Sequence, residues 1–294
     1  MAVVTPTQPV RASAPPEAVR RKTRLRVNVP GGVAAWIWFV VVIIPLYWVV
    51  VTSLRTQQTF FTDSPWAFPS APTLDNFRLV LESGFLTFLL NSVVVTTGAV
   101  ALAVFVSLLA AYTITRNRMT VVRGSFSLFL LGLAIPMQAA IIPIFAMITK
   151  AGLYDTLLAV VLPSAAFAVP LTVIILSNFL RDIPGELFDS MRVDGAGDWR
   201  MLGQLVLPLS RPALMTVAIY NGLNVWNGFL FPLVLTQSPD SKVLPLALWT
   251  FQGELTINIP AMMAAIVLSA LPILTLYIVG QRQLVSGLTA GFGK

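Results

Sequence analysis

Six long apolar stretches, separated by short polar segments, are the feature that most limits what this chain can fold into. They cover roughly residues 32–53, 85–114, 125–149, 156–180, 212–236 and 259–281. Each is close to the length of about 20 residues that a helix needs to cross the hydrocarbon core of a bilayer. The short alternating strands of a membrane β-barrel are missing from the pattern. We therefore expect an all-α membrane protein with six transmembrane helices.

The composition excludes most kinds of catalytic site. Only 11% of the 294 residues are charged, and the chain contains neither cysteine nor histidine. Thiol chemistry, disulfides and the usual zinc, haem and iron–sulfur sites are therefore excluded. The Gly293-Lys294 pair at the end lacks the glycine spacing of a phosphate-binding loop. We expect no catalytic residues, no metal and no cofactor, so that any ATP would be bound by a partner ATPase subunit.

Acidic residues are missing from the middle of the apolar stretches. All 12 aspartates and glutamates lie outside the six stretches or at their edges. Proton-coupled carriers usually place such a group in mid-membrane, because a side chain there must gain and lose a proton. The pattern disfavours proton coupling, whereas sodium coupling through backbone and hydroxyl oxygens remains open.

Positive charge is unevenly distributed between the two sides of the six stretches. Of the 19 lysines and arginines, the side that holds the loops after the first, third and fifth stretches carries only Arg55, Arg78, Lys150 and Lys242. Loops that face the cytoplasm carry the excess of positive charge. We therefore expect a cell-membrane protein with both termini, and residues 183–211, in the cytoplasm.

The two ends of the chain are polar. Residues 1–31 are rich in proline, alanine, threonine and arginine, which predicts a disordered basic tail attracted to anionic membrane lipid. Residues 282–294 form a short carboxyl-terminal tail, and residues 32–281 form the six-helix membrane domain between them. The formal charge of +7 is accounted for by topology, and we expect no nucleic-acid partner.

The polar segment 183–211 carries its own helix signals. Asp182 is placed to cap a helix that starts at Pro184 and ends near Val193. Asp194-Gly195 then provides a turn in which glycine can adopt a positive φ. The first half of the segment is therefore predicted to be a short helix that ends in a glycine elbow.

The second half of the segment predicts another short helix, which Asp198 caps and Pro208 closes. Its apolar residues recur at helical spacing and are Trp199, Leu202 and Leu205 or Val206. Two short helices joined by an elbow would form a compact knob that a soluble partner could bind. An amphipathic hairpin lying on the lipid surface fits the same residues.

The spacing within this segment resembles a family signature. Permeases of ABC importers carry Glu-Ala-Ala, three residues, Gly, nine residues and Ile-x-Leu-Pro. Here Gly195 is followed by nine residues and then by Leu205-Val206-Leu207-Pro208, and Asp189-Ser190-Met191 occupies the Glu-Ala-Ala position. By this resemblance, the residues that contact the ATPase are Asp189, Ser190, Met191, Asp194, Gly195, Ala196, Leu205, Leu207 and Pro208.

Further short motifs resemble the carbohydrate branch of that family, and in particular the second permease of maltose-type importers. They are Asn91-Ser92, Ala110-Ala111-Tyr112, Asp194-Gly195-Ala196, Leu207 to Pro212, Trp226-Asn227 and Gly287 to Gly291. The resemblance implies the type I ABC importer permease fold with a two-helix cytoplasmic coupling segment. It also implies four partners: a cytoplasmic ABC ATPase dimer, a second homologous permease, an extracytoplasmic solute-binding protein and a carbohydrate substrate. Residues 287–294 would reach the ATPase, or fray as an ordinary carboxyl terminus.

A stripe of amides in the fifth apolar stretch is the candidate solute pathway. Asn221, Asn224 and Asn227 recur every three residues, with Tyr220 and Trp226 beside them. Amide hydrogen bonds and aromatic stacking are the contacts that sugars use. Hydrogen bonds between helices are the other common use of asparagine in membrane bundles.

The sequence therefore indicates a permease subunit that imports a sugar or oligosaccharide, driven by a separate ATPase. An ABC permease for a polyol, a glycerol phosphate or another small solute is the alternative, followed by a stand-alone ion-coupled carrier. A membrane-bound transferase is disfavoured because no acid–base cluster is present.

Overall fold

The computed structural model describes residues 29–117, 119–248 and 258–290, and the last of these ranges mainly by its backbone after residue 275. Most of the predicted basic tail, residues 1–28, lies outside the described residues, as do residues 291–294. The chain divides into one unit that ends at Pro45 and a second that begins at Leu46. In the first unit the described residues are helical, and Trp36 and Phe39 make an edge-to-face ring contact.

Every regular element among the described residues is helical. The α-helices are α1 Val29–Ser53, α2 Gln57–Thr62, α3 Asp75–Glu82, α4 Phe85–Arg116, α5 Thr120–Leu133, α6 Met137–Lys150, α7 Leu157–Arg181, α8 Gly185–Val193, α9 Asp198–Met201, α10 Leu207–Leu209, α11 Arg211–Trp226, α12 Leu230–Leu235, α13 Leu244–Ala247 and α14 Ile259–Ala290. A π-helical turn covers Leu202–Val206, and a 3-10 turn covers Pro239–Ser241.

Two long helices, α4 and α7, form the centre of the second unit. They pack against each other more extensively than any other pair, and α11 packs against both. Small residues permit this close approach, because Ala99, Ala103 and Ala111 of α4 are completely buried. Gly132 of α5 lies so close to α7 that a Cβ on it would come within 3.0 Å of the Pro170 ring.

Three apolar clusters succeed one another along α4. The first contains Phe85 and Phe88 together with residues of α3, α13 and α14. The second contains Val95, Ala99 and Ala103 with residues of α6, α7 and α12. The third surrounds the carboxyl-terminal end of α4. It also includes the last turns of α7, the first turns of α11 and residues of the 183–211 segment. That segment is therefore part of the packed core at one end of the bundle.

Two of the six predicted apolar stretches are each divided into two helices. The stretch 125–149 is divided into α5 and α6, which meet at 102°. The cause is Pro136, which has no N–H to continue the helical ladder and directly precedes α6. The stretch 212–236 is divided into α11 and α12 by residues 227–229. By length and composition, three described helices can cross a membrane. The number rises to at most five if two bent pairs each count as one span, and these pairs are α5 with α6 and Asp198–Leu209 with α11.

Candidate functional site

The glycine elbow predicted after α8 is confirmed. Gly195 has φ +73°, and α8 ends two residues before it. The N–H of Gly195 donates to the carbonyl of Arg192 at 3.0 Å, and the N–H of Ala196 donates to that of Met191 at 2.9 Å. This pair of bonds defines a Schellman motif, in which a residue of positive φ closes the helix end. The side chains of Ala196 and Met191 both pack in the third cluster, so the apolar contact typical of the motif is present.

The predicted cap of α8 by Asp182 is wrong. Asp182 lies just after α7 and its own N–H donates to the carbonyl of Phe179 at 3.2 Å. Helix α8 begins at Gly185, and Pro184 precedes it without a side-chain cap. The reason is that a residue before proline is driven toward extended backbone, so helix cannot form across Ile183 and join Asp182 to α8.

The second helical piece is longer than predicted, and Pro208 does not close it. Helix α9 begins at Asp198, and Gly197 takes the cap position in front of it. The helical path then continues through the π turn to Leu209, and the chain bends by 76° into α11. A proline inside a helix clashes with the carbonyl four residues earlier, which here belongs to Gln204. The wider π turn contains Gln204, so it accommodates Pro208 without ending the helix.

The predicted apolar face of this second piece is only partly buried. Val206 is completely buried, and Leu202 and Leu205 pack against the same cluster. Trp199, in contrast, keeps 74% of its surface exposed, and Val193 at the end of α8 keeps 87%. Exposed apolar side chains of this size beside a packed elbow can contact a partner protein or the lipid surface.

The residues of the signature therefore divide into two groups. Met191, Gly195, Ala196 and Leu205 build and pack the elbow. The others are exposed, and they are Asp189, Ser190, Asp194, Leu207 and Pro208.

Asp189 makes an exposed ion pair with Arg192 at 3.7 Å, one helical turn away. Exposed pairs of this kind contribute little to stability. The hydroxyl of Ser190 donates to the carbonyl of Leu187 within α8. These polar groups thus have partners within α8, and their side chains remain exposed.

Two buried residues of the segment were not singled out from the sequence. Phe188 of α8 is 2% exposed and Met201 of α9 is also 2% exposed. Both belong to the third cluster, together with Leu176 and Leu180 of α7. Helical spacing around Phe188 could have predicted a buried face of α8. It could not have predicted which helices pack against that face.

The two asparagines of α11 and Asn227, which directly follows it, serve different purposes. Asn221 is buried, and its amide donates to the hydroxyl of Thr172 on α7 at 2.8 Å. This is the interhelical bond that membrane bundles commonly use. The exposed Asn224 and Asn227 each donate to the backbone carbonyl four residues earlier, at 2.9 and 2.8 Å. Three residues correspond to about 300° of helix rotation. Side chains spaced by three residues therefore point about 60° away from one another around the helix axis.

This rotation divides the predicted pathway residues between two cavities. A cavity of about 280 Å³ is lined by Tyr220, Asn221 and Asn224, with aromatic rings from Phe167 and Phe231. A second cavity, of about 420 Å³, is lined by Trp226 and Asn227 together with residues of α13 and α14. The first cavity combines two amides with aromatic side chains, and the rest of its lining is mainly apolar.

Asp155 binds two loops together at the other end of the bundle. Its backbone has φ +60°, and its carboxylate accepts the N–H groups of Gln237 and Ser238 at 2.7 and 3.0 Å and the hydroxyl of Ser241. The Ser241 hydroxyl, followed by the two N–H groups, holds the pKa of Asp155 well below its ordinary range. Since the N–H of Asp155 also donates to the carbonyl of Leu235, the loop after α12 is fixed to the start of α7.

The comparisons with known proteins agree with this architecture. Residues 103–289 match the family model described as binding-protein-dependent transport system inner membrane component. The chain is 40% identical to a putative ABC transporter permease, ORF2, from Caldicellulosiruptor sp. strain Rt8B.4, over 88% of this chain and 94% of the relative. It is 33% identical to the diacetylchitobiose uptake system permease NgcG from Streptomyces coelicolor, over 87% and 85%.

A similar fold has been solved in a bacterial ABC transporter that imports the acidic polysaccharide alginate. The two chains superpose with a TM-score of 0.76 at 20% identity, over 86% of this chain and 95% of the other. At this identity the likeness concerns the fold alone.

Proposed function

This chain belongs to the family of binding-protein-dependent transport system inner membrane components, and on that premise we propose that it is the permease subunit of an ATP-driven importer of sugars or oligosaccharides. The relatives support the solute class, because one of them is named for diacetylchitobiose uptake. The observation that carries the coupling role is the packed glycine elbow with its exposed apolar side chains.

The proposed mechanism follows from the way in which the 183–211 segment is built. Its interior residues are shared with the ends of α4, α7 and α11, so a force applied to the elbow reaches three helices at once. Protein interiors are close-packed and transmit strain rather than absorb it. When a cytoplasmic ATPase dimer closes on ATP, the elbow moves with it as a rigid body. The bundle then alternates between inward-facing and outward-facing states.

The remaining parts of the assembly are proposed on the same basis. Six spans result if α1, α4, the pair α5–α6, α7, α11 with α12, and α14 each cross the membrane. The excess of arginine and lysine near the termini and the elbow favours a cytoplasmic location for these parts. A second, related permease completes the pathway, and an extracytoplasmic binding protein delivers the solute.

Within this chain, the cavity beside Tyr220 and Asn224 is the proposed contact with the solute. Asn224 donates only to its own helix, so its amide oxygen remains available to a sugar hydroxyl. Asn221 has a structural role, since its amide connects α11 to α7. Trp226 and Asn227 line a separate cavity and are assigned to helix packing.

Reconstitution tests the transport function directly. Proteoliposomes that hold both permeases, the ATPase and the binding protein should accumulate diacetylchitobiose or a related oligosaccharide only with ATP inside the lumen that the ATPase faces. If the permeases alone moved sugar down a sodium or proton gradient, the importer assignment would be wrong. Uptake of a polyol or a glycerol phosphate, but of no sugar, would support the ATP-driven import function and exclude the proposed solute class.

A matched pair of tryptophan variants tests the docking surface. Trp199→Ala should weaken ATPase binding to the permease pair about fivefold or more, because a buried tryptophan in an interface commonly contributes over 1 kcal/mol. Trp66→Ala removes an equally large exposed ring from the loop between α2 and α3 and should leave the affinity unchanged. Equal affinities for the two variants would contradict the assignment of the elbow as the ATPase contact.

A further inference from the structure

The end of α4 holds the elbow segment by a directional contact as well as by apolar packing. The hydroxyl of Tyr112 donates to the carboxylate of Asp198 at 2.9 Å. Tyr112 is 8% exposed and is fixed in the third cluster, whereas Asp198 is the exposed first residue of α9. The bond therefore joins a rigid transmembrane helix to the part of the segment that follows the elbow.

One turn further along the same face of α4, Arg116 holds the part that precedes the elbow. Its guanidinium donates to the carbonyls of Leu180 and Ile183 at 2.6 and 3.2 Å. The last carbonyls of a helix lack partners within that helix, so Arg116 satisfies the end of α7. The Arg116 Cζ also lies 3.6 Å from the centre of the Phe188 ring of α8. A single side chain thus joins α4, the end of α7 and α8.

Open polar clefts flank both contacts. One, of about 380 Å³, is lined by Tyr112, Arg116, Arg192 and Asp198, and the other, of about 460 Å³, by Arg116, Phe188, Asp189 and Arg192. Water in these clefts can hydrate Asp198 once its partner hydroxyl is removed. Loss of the Tyr112 hydroxyl should therefore leave the fold intact, while α9 loses its fixed position on α4.

From this geometry we infer that Tyr112 and Arg116 are positioning residues that transmit movement of the elbow segment to α4. The inference rests on the proposed importer function. Apolar packing has no preferred direction, whereas a hydrogen bond has a preferred distance and direction. Tyr112 and Arg116 are four residues apart, so both lie on one face of α4. Together they hold the pieces on either side of the Gly195 elbow, so the segment and α4 move as a unit.

The test uses the complete importer in proteoliposomes and measures sugar molecules imported per ATP hydrolysed. Tyr112→Phe should assemble normally and hydrolyse ATP, with the sugar-to-ATP ratio lowered about fivefold, which corresponds to the loss of a typical hydrogen bond. Tyr154→Phe makes the same chemical change in the loop before α7 and should leave the ratio unchanged. Asp198→Ala should lower the ratio as Tyr112→Phe does, and since Asp198 is exposed this variant does not depend on core packing.

Rescue and additivity distinguish positioning from general destabilisation. Asp198→Asn retains an oxygen that can accept from the Tyr112 hydroxyl, so it should keep most of the ratio. The double variant Tyr112→Phe/Asp198→Ala should be no worse than either single variant, because both remove the same bond. An unchanged ratio in Tyr112→Phe, an Asn variant as defective as Ala, or failure of Tyr112→Phe to assemble would overturn the inference. A wild-type complex without ATP-driven uptake would instead refute the proposed function.

Discussion

Replacing Gly195 by alanine should loosen the elbow without creating a clash. A Cβ added at Gly195 meets nothing within 4 Å, so the cost comes from the backbone alone. Holding an L-residue at a left-handed φ costs about 1–2 kcal/mol. That energy corresponds to a roughly 5- to 30-fold increase in the population of the opened elbow. The N–H groups of Gly195 and Ala196, which close the helix end, should therefore exchange faster by about that factor.

Hydrogen exchange of the permease complex in nanodiscs measures this opening, with mass spectrometry of peptides that span the elbow. Gly197→Ala is the matched control, because Gly197 has φ −79° and equally open space around its Cα. Gly195→Asn should exchange more slowly than Gly195→Ala, since asparagine tolerates the left-handed region. If Gly195→Ala exchanged no faster than Gly197→Ala, the Schellman motif would not be what fixes the elbow.

Three further predictions concern the bundle and its loops. Asn221→Ala should destabilise the permease by about 1 kcal/mol in thermal unfolding, because it removes the bond between α11 and α7, although the Thr172 hydroxyl keeps its own bond to the Ala168 carbonyl. Asn224→Ala should instead preserve stability and reduce sugar uptake, and the reverse pattern would contradict the assigned roles. Because the pKa of Asp155 is lowered in the folded protein, its carboxylate stabilises the fold above the ordinary aspartate pKa, and this stability is lost progressively as pH falls below about 4. The melting temperature should therefore drop more between pH 7 and pH 3 for the wild type than for Asp155→Asn. Gly132→Ala should lower the melting temperature by forcing apart α5 and α7, while Gly124→Ala, where a Cβ has open space, should not; equal melting temperatures would refute this close approach.

Local signals in the sequence were sufficient for the elbow. Gly195 and its neighbours end helix α8 through hydrogen bonds that lie within six residues. A glycine after a helical pattern is therefore enough to predict this helix end. The bend before α6 is of the same kind, because proline acts on its own helix. Asp182 was misassigned because the effect of the following proline on backbone conformation outweighs the capping preference of aspartate.

Contacts between distant parts of the chain could not be predicted in this way. Asp155 meets Ser241 across 86 positions, and Tyr112 meets Asp198 across the same separation. No spacing rule relates such residues, since their proximity depends on the packing of whole helices. The exposure of Trp199 is a similar case, because helical spacing predicts which residues share a face but not which part of that face another helix covers.

The sharp bend between α5 and α6 also determines what fills the neighbouring cavity. A helix that turns by 102° leaves carbonyls and N–H groups near the break without a full set of helical partners. Lipid tails cannot satisfy these groups, so backbone of this kind is tolerated only inside protein or beside water. Leu133 and Met137, on either side of the break, line the same cavity as Tyr220 and Asn224. Water in this cavity would satisfy such groups, and a sugar bound at the proposed site would have to replace that water with its own hydroxyls, so that its occupancy would depend on water activity as well as on solute concentration.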